Sequence, residues 1–207
     1  MRSVVILGST GSIGENALKV AEALPDAVRV AGLATRSKVT RVIDQALQFG
    51  VEVVAVEDRA AAAEAAALAR PHGIQVWAGA EGVAALAGLA AADTVLCALV
   101  GLAGLRPVLT ALEAGKDVAL ATKEVLVSAG ELVMRRRAEA GVSLLPVDSE
   151  HSALFQCLQS SAFSPACVRT RDGEPAAEDR VARLVLTASG GPFAARRGID
   201  FERVTPE

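Results

Sequence analysis

The N-terminal stretch constrains the rest of the chain most. Arg2-Ser3-Val4-Val5-Ile6-Leu7 is a short apolar run, and it leads into Gly8-Ser9-Thr10-Gly11-Ser12-Ile13-Gly14. Asn16, Ala17, Val20, Ala21 and Leu24 then recur at helical spacing, so the pattern predicts strand, glycine turn and helix in that order. Glycines at three-residue intervals in that setting form the layout of a dinucleotide phosphate loop. The turn lets the backbone approach a pyrophosphate, and the helix start offers unpaired N–H groups and the positive end of its dipole. The spacing is a G-x-x-G-x-x-G variant of the usual fingerprint. A plain strand-turn-helix is the competing reading, because glycine also serves ordinary turns.

The pattern downstream favours the first reading. Residues 28–34, 53–56, 74–77, 94–99, 117–121 and 143–147 read as strands, with helices over 39–49, 59–70, 81–89, 103–114 and 123–140 between them. Strands alternating with helices predict parallel βαβ units with right-handed crossovers, hence an α/β fold with a doubly wound, mostly parallel sheet. A composition that is 52% hydrophobic but only 3% aromatic fits an aliphatic, Ala-rich core beneath such a sheet. After residue 147 the alternation changes. A helical stretch over 151–159 gives way to Ser160-Ser161-Ala162-Phe163-Ser164-Pro165, a polar segment over 169–179 and an apolar strand-like run over 180–188. The predicted division is a Rossmann-type dinucleotide-binding domain over 1–147 and the start of an α+β domain over 148–207. One helix and one strand bury too little to form a core of their own. Thr205-Pro206-Glu207 falls in mid-pattern, as expected of a fragment.

Charge and cysteines narrow the setting. The net charge is −3, and no block of like charge is longer than Arg135-Arg136-Arg137, which argues against a nucleic-acid partner. No apolar run reaches the roughly 18 residues of a membrane span, and the N-terminus reads as a strand rather than a signal peptide. Cys97, Cys157 and Cys167 make no C-x-x-C pair. An odd count without metal spacing predicts a reducing, cytoplasmic compartment.

After the second strand come Thr35, Arg36, Ser37 and Lys38, with no acid among them. An Asp or Glu at that point usually holds a ribose 2′-hydroxyl, whereas a 2′-phosphate needs basic or hydroxyl groups. Arg36 offers a fork to phosphate and Lys38 a point charge. The residues favour NADP. The competing reading is a solvated loop whose Ser37 caps the next helix.

Two later stretches carry chemistry. Lys123-Glu124 directly follows a strand, at the carboxyl end where open α/β sheets bind ligands, and Lys123 can hold an anionic substrate. A Lys-Glu pair at a helix start is also ordinary surface. Val147-Asp148-Ser149-Glu150-His151 is sharper. If the strand geometry persists, Asp148 and Glu150 point to the same side. Facing carboxylates are relieved by a divalent cation, and hard oxygen ligands suit Mg²⁺ or Mn²⁺. The alternative is a capping cluster, with Asp148 or Ser149 capping the following helix and Glu150 favoured in its first turn. Two carboxylates under-fill an octahedral site, so a further ligand has to come from elsewhere. Ser189-Gly190-Gly191 can form an anion nest for a phosphate, or a plain Gly-Gly-Pro turn.

Together, Gly8-Ser9-Thr10-Gly11-Ser12-Ile13-Gly14, Ala121-Thr122-Lys123-Glu124-Val125-Leu126-Val127, the run from Leu145 through Asp148-Ser149-Glu150-His151 to Gln156, and the run from Leu186 through Ser189 to Phe193 resemble the 1-deoxy-D-xylulose 5-phosphate reductoisomerase family. The resemblance covers essentially the whole chain, in order. It implies an enzyme of the non-mevalonate isoprenoid pathway. Such an enzyme isomerises and reduces 1-deoxy-D-xylulose 5-phosphate to 2-C-methyl-D-erythritol 4-phosphate with NADPH and Mg²⁺ or Mn²⁺. It implies that Thr10, Gly11, Ser12 and Ile13 meet the cofactor pyrophosphate and that Arg36, Ser37 and Lys38 form the 2′-phosphate loop. Thr122 and Glu124 would line the cofactor site. Lys123, Asp148 and Glu150 would be catalytic, Asp148 and Glu150 as metal ligands. Lys123, Ser149, Glu150 and Ser189 would bind substrate, Ser189 at its phosphate.

The family usually has Asn where Thr122 stands, and losing that amide donor implies weaker NADPH binding. Its third acidic metal ligand, its mobile loop and its C-terminal helical domain lie beyond residue 207, so only part of an active site is expected here. The family is commonly homodimeric. Two other readings stay open. A two-domain NADP dehydrogenase of the semialdehyde or homoserine type shares the loop but does not predict Asp148-Ser149-Glu150-His151. A non-catalytic NADP-binding module is the other. The reading of Arg36-Ser37-Lys38 is checked by titrating the protein with NADPH and NADH: tighter binding of NADPH is expected, and equal affinities would remove it.

Overall fold

The computed structural model of the chain describes residues 1–160 together with Arg183, Val185, Gly198, Asp200, Arg203 and Thr205. The opening apolar run forms β1 (Arg2–Leu7), and α1 (Ser12–Ala23) follows the glycine turn. The alternation then continues through β2 (Val28–Thr35), α2 (Val39–Phe49), β3 (Val53–Val56), α3 (Arg59–Ala69), β4 (Gln75–Ala78) and α4 (Gly79–Ala87). The second half runs β5 (Thr94–Cys97), α5 (Leu105–Glu113), β6 (Asp117–Leu120), α6 (Lys123–Ala140), β7 (Leu144–Pro146) and α7 (Ser149–Ser160). A 3₁₀ turn over Gly101–Gly104 leads into α5. Among the described residues no helix is long and apolar enough to cross a membrane. The strand expected over 180–188 and Ser189 lie outside the described residues, isolated positions aside.

The seven strands form one sheet in the order β4-β3-β2-β1-β5-β6-β7, and every neighbouring pair is parallel. The chain winds outward from β1 to β4, then returns to the other side of β1 to lay down β5. Strand order therefore reverses between β1 and β5, and open α/β sheets bind ligands outside the carboxyl ends at such a reversal.

Side-chain alternation along β1 assigns the two layers. Val5 and Leu7 join Leu86 of α4, Val108 and Leu112 of α5 and Val133 of α6. Ile6 joins Leu18 of α1, Val42 and Ile43 of α2 and Ala65 of α3. Helices thus cover both faces, which is why the strands read as near-continuous apolar runs. Ile6, Leu7 and Leu33 are at most 1% exposed, and burying a side chain of that size contributes about 1.5–3 kcal/mol.

The spacing located α1 but only part of its inner face, Ala17 and Ala21. The helix starts at Ser12 and buries Gly14, Leu18 and Ala21, while Val20 and Leu24 are 53% and 51% exposed. The reason lies at Gly14, where a Cβ would stand 2.3 Å from the Gly8 carbonyl oxygen and 2.5 Å from the Ser9 Cα. That contact turns Gly14 towards the loop, and the residues four and seven further on follow it inward. β5 ends at Cys97 rather than Leu99. The Cys97 thiol is fully buried, and burial pushes it up to about 11.

Because backbone atoms crowd Gly14, Gly14→Ala is expected to cost about 1–3 kcal/mol by urea denaturation. Gly130→Ala, where a Cβ would meet nothing within 4 Å, is the control and should be neutral or mildly stabilising. Equal stabilities for the two variants would contradict the packing role.

Candidate active site

The glycine loop divides its work among its three glycines. Gly8 sits at φ +86°, and a Cβ there would fall 2.6 Å from the Ala98 carbonyl oxygen, so it makes the turn against the end of β5. Gly14 brings α1 against the loop. Gly11 lies between them as the extended residue preceding α1, at φ −91° and ψ 171°, and no side chain caps the helix. The first-turn N–H groups of an α-helix have no partner within the helix, and Gly11, Ser12 and Ile13 are exposed around them. Thr10 is placed differently from its neighbours in the loop. It is 7% exposed, and its hydroxyl shares a 2.7 Å hydrogen bond with the Thr35 hydroxyl, so its side chain turns towards β2.

Arg36, Ser37 and Lys38 are exposed beyond the end of β2. The Lys38 Nζ donates to the Thr10 carbonyl at 3.1 Å, which closes the basic loop over the glycine loop. Ser37 does not cap α2. Its carbonyl accepts the Val39 N–H at 3.0 Å, and this tight turn makes Lys38 the residue that precedes the helix, with no side-chain cap.

On the other side of the reversal the structure exposes residues that the pattern hid. Val100 is 92% exposed and Leu102 56% exposed, next to Gly101 at φ +64°. Read in sequence they fell between the strand expected over 94–99 and the helix expected over 103–114. The only signal was a glycine between two large apolar residues just past a strand. Thr122 is 6% exposed, and its hydroxyl donates to the Leu99 carbonyl. That hydroxyl ties the loop after β5 to the start of α6. Glu124 is exposed in the first turn of α6.

β6 and β7 are neighbours in register, Leu120 opposite Pro146, so the residues just past their ends meet. The Lys123 Nζ lies 3.1 Å from the Asp148 Oδ2 and 3.5 Å from the Glu150 Oε1. The two carboxylates converge as expected, but not by strand alternation. β7 stops at Pro146, the N–H groups of Val147 and Asp148 both point to the Leu120 carbonyl (2.9 and 3.4 Å), and α7 begins at Ser149. A strand-to-helix turn brings them together. The Ser149 hydroxyl donates to the Glu150 Oε2 at 2.7 Å, and the Asp148 main-chain carbonyl takes the Ser152 N–H at 2.8 Å.

Electrostatically the cluster holds one more carboxylate than cation. The Ser149 hydroxyl, then Glu150's own N–H, then Asp148 and the Lys123 ammonium draw the Glu150 carboxyl down to about 2. The Lys123 ammonium is raised, chiefly by its hydrogen bond to Asp148. The Asp148 Oδ1 is buried without a hydrogen-bond partner. A buried polar atom left so costs about 1–3 kcal/mol, more when charged, and a bound cation removes that penalty. The donor set therefore fits a hard divalent ion, although among the described residues no third His, Cys, Asp or Glu joins it. Below lies a cavity of about 250 Å³, bounded by Lys123, Asp148, His151, Leu120, Leu126 and Pro146.

A doubly wound parallel sheet with a glycine loop, a basic loop and a lysine–carboxylate cluster along one edge defines a protein of the Rossmann-type α/β class. Residues 4–130 match the family model of 1-deoxy-D-xylulose 5-phosphate reductoisomerase, and residues 144–207 match that of its C-terminal domain. The chain belongs to the 1-deoxy-D-xylulose 5-phosphate reductoisomerase family. Over 207 residues it is 46% identical to the reductoisomerase of Anaeromyxobacter dehalogenans and 40% identical to that of Thermodesulfovibrio yellowstonii, covering 49% and 50% of them. The chain thus spans about half the length of the curated relatives it matches. A DOX-P reductoisomerase crystallised with magnesium superposes with a TM-score of 0.83 at 34% identity, over 95% of this chain and 48% of that one. The Zymomonas mobilis enzyme crystallised with NADPH gives 0.79 at 35% identity, over 94% and 47%. Family membership sets aside the semialdehyde or homoserine dehydrogenase reading.

The Ser149 hydroxyl is the largest influence on Glu150. Ser149→Ala should therefore raise the Glu150 titration midpoint in the metal-free protein, followed by carbon NMR of the side-chain carboxyl. An unchanged midpoint would refute that contact.

Proposed function

We propose that this chain supplies the cofactor-binding half and two metal ligands of an NADPH- and Mg²⁺- or Mn²⁺-dependent enzyme. The proposed reaction isomerises and reduces 1-deoxy-D-xylulose 5-phosphate to 2-C-methyl-D-erythritol 4-phosphate in non-mevalonate isoprenoid synthesis. The observation that carries the reading is the meeting of Lys123, Asp148 and Glu150 on the same sheet edge as the uncapped start of α1. A related DOX-P reductoisomerase crystallised with NADPH, fosmidomycin and magnesium supports it.

In this proposal Gly11, Ser12 and Ile13 present N–H groups to the cofactor pyrophosphate, and Arg36, Ser37 and Lys38 hold its 2′-phosphate. Thr10 and Thr122 act from behind, through Thr35 and the Leu99 carbonyl. Glu124 stands beside the cofactor. Asp148 and Glu150 would hold the divalent ion, the Asp148 Oδ1 gaining the partner it lacks. When bound, that ion supplies Lewis-acid polarisation of substrate oxygens. Lys123 holds an anionic or carbonyl oxygen of the substrate beside the carboxylates, and Ser149 and Ser189 complete substrate binding. Residues 1–147 form the cofactor domain and 148–207 begin the catalytic one. The longer protein is a homodimer in a reducing cytoplasm, with a sugar phosphate as its partner and neither nucleic acid nor membrane.

One observation favours a second reading, a non-catalytic NADP-binding module: the described residues bring only two carboxylates together. For the same reason the 207-residue chain by itself is proposed to bind NADPH without appreciable turnover.

The deciding test is NADPH oxidation with deoxyxylulose phosphate and Mn²⁺ by the protein as its gene encodes it. Absence of oxidation would reject the enzyme reading. In that protein Asp148→Ala is expected to weaken Mn²⁺ binding, read by electron paramagnetic resonance, by about tenfold or more. Unchanged affinity would leave the cluster a structural ion pair.

A further inference from the structure

α2 does more than carry the basic loop at its start. Gln45 lies within α2 and is 3% exposed, and both ends of its amide meet one residue of the glycine loop. The Ser9 hydroxyl donates to the Gln45 Oε1 at 2.8 Å, and the Gln45 Nε2 donates to the Ser9 carbonyl at 3.1 Å. The same loop is held from β2 by the Ala34 carbonyl, which accepts the N–H groups of Gly8 and Ser9, both at 2.9 Å. The Thr10–Thr35 hydroxyl pair and the Lys38–Thr10 bond complete the set. The inner side of the loop is therefore fastened to β2 and α2, while its outer side is the uncapped start of α1.

We propose that Gln45 is a positioning residue for the pyrophosphate subsite. This rests on the reading of the glycine loop as the NADPH site. A turn flanked by Gly8 and Gly11 has wide conformational freedom of its own. Donors aimed at an anion bind it well only when they are fixed before it arrives. Gln45 supplies that fixing, because a buried amide satisfied at both ends by Ser9 leaves the turn one arrangement in which no polar group is orphaned. Gln45 is buried behind the loop and acts through Ser9. One rigid helix then serves two phosphate subsites, the 2′-phosphate loop at its start and, through Gln45, the pyrophosphate turn.

The placement makes a discriminating expectation. Gln45→Met keeps the length of the side chain and removes both hydrogen bonds. In isothermal titrations it should weaken NADPH and NADH by a common factor of about tenfold, because both carry the pyrophosphate, while 2′-AMP, which lacks it, stays within about twofold of wild type. Ser9→Ala removes the hydroxyl bond alone and should shift NADPH and NADH in the same direction by less. NADPH affinity unchanged in folded Gln45→Met overturns the proposal. So does loss of 2′-AMP binding by the same factor as NADPH, since that reports displacement of α2 as a whole. If Gln45→Met does not fold, Ser9→Ala decides: unchanged NADPH and NADH affinity overturns the proposal. A wild-type protein that binds no NADPH would defeat the cofactor reading itself, a result distinct from either of these.

Discussion

Parallel pairing is the constraint on which the rest depends. Seven strands running the same way place all their carboxyl ends on one edge, and each is followed there by a loop into a helix. Gly8–Gly14 after β1, Arg36–Lys38 after β2, Val100 and Leu102 after β5, Lys123 after β6 and Asp148–Glu150 after β7 are distant in sequence and neighbours on that edge. Contacts among them, such as Lys123 with Asp148 and Lys38 with Thr10, form at short range once the edge has gathered them. The helices packed on both faces hold the sheet, the sheet fixes the edge, and the edge assembles the chemistry.

Within that edge, charge is distributed unevenly. The β2 side is basic and exposed, open to an anion from solvent. The β7 side is different, with a cation gripped between two carboxylates whose inner oxygen, the Asp148 Oδ1, is sealed from water without a donor. The Lys123 end of both pairs is half-exposed while the Asp148 end is mostly buried, and burying a charge with an unsatisfied oxygen offsets much of what its pairing contributes. The Thr122 hydroxyl ties the β5 loop to the start of the helix that carries Lys123.

How much could be read from the chain depended on the range of the force responsible. Element order and the doubly wound class were legible, because burying both faces of a parallel sheet writes continuous apolar runs into the strands and helical periods between them. The inner face of α1 was legible only in Ala17 and Ala21, because Gly14 and Leu18 are set by a backbone-to-backbone contact at Gly14 that side-chain spacing does not record. The same holds for Ser37, displaced from its cap by a turn one residue long, and for Thr10 and Thr122, whose hydroxyls answer to Thr35 and Leu99 in other elements. Asp148 and Glu150 were found, but their convergence came from a strand-to-helix turn and not from strand alternation. Gln45 carried no signal at all, since its meaning lies in Ser9, a residue that only folding brings near.

The three glycines of the first loop are unequal witnesses. Gly8 is wedged against the Ala98 carbonyl and Gly14 against the Gly8 carbonyl, at distances no side chain tolerates, so the fold demands both whether or not anything ever binds. A Cβ at Gly11 would meet only the Gly8 carbonyl oxygen, at 3.3 Å, a crowding that small adjustments relieve. A descendant of this chain that had given up its ligand would keep the outer glycines and let the middle one drift. Of the whole motif, the middle glycine is the one that packing constrains least.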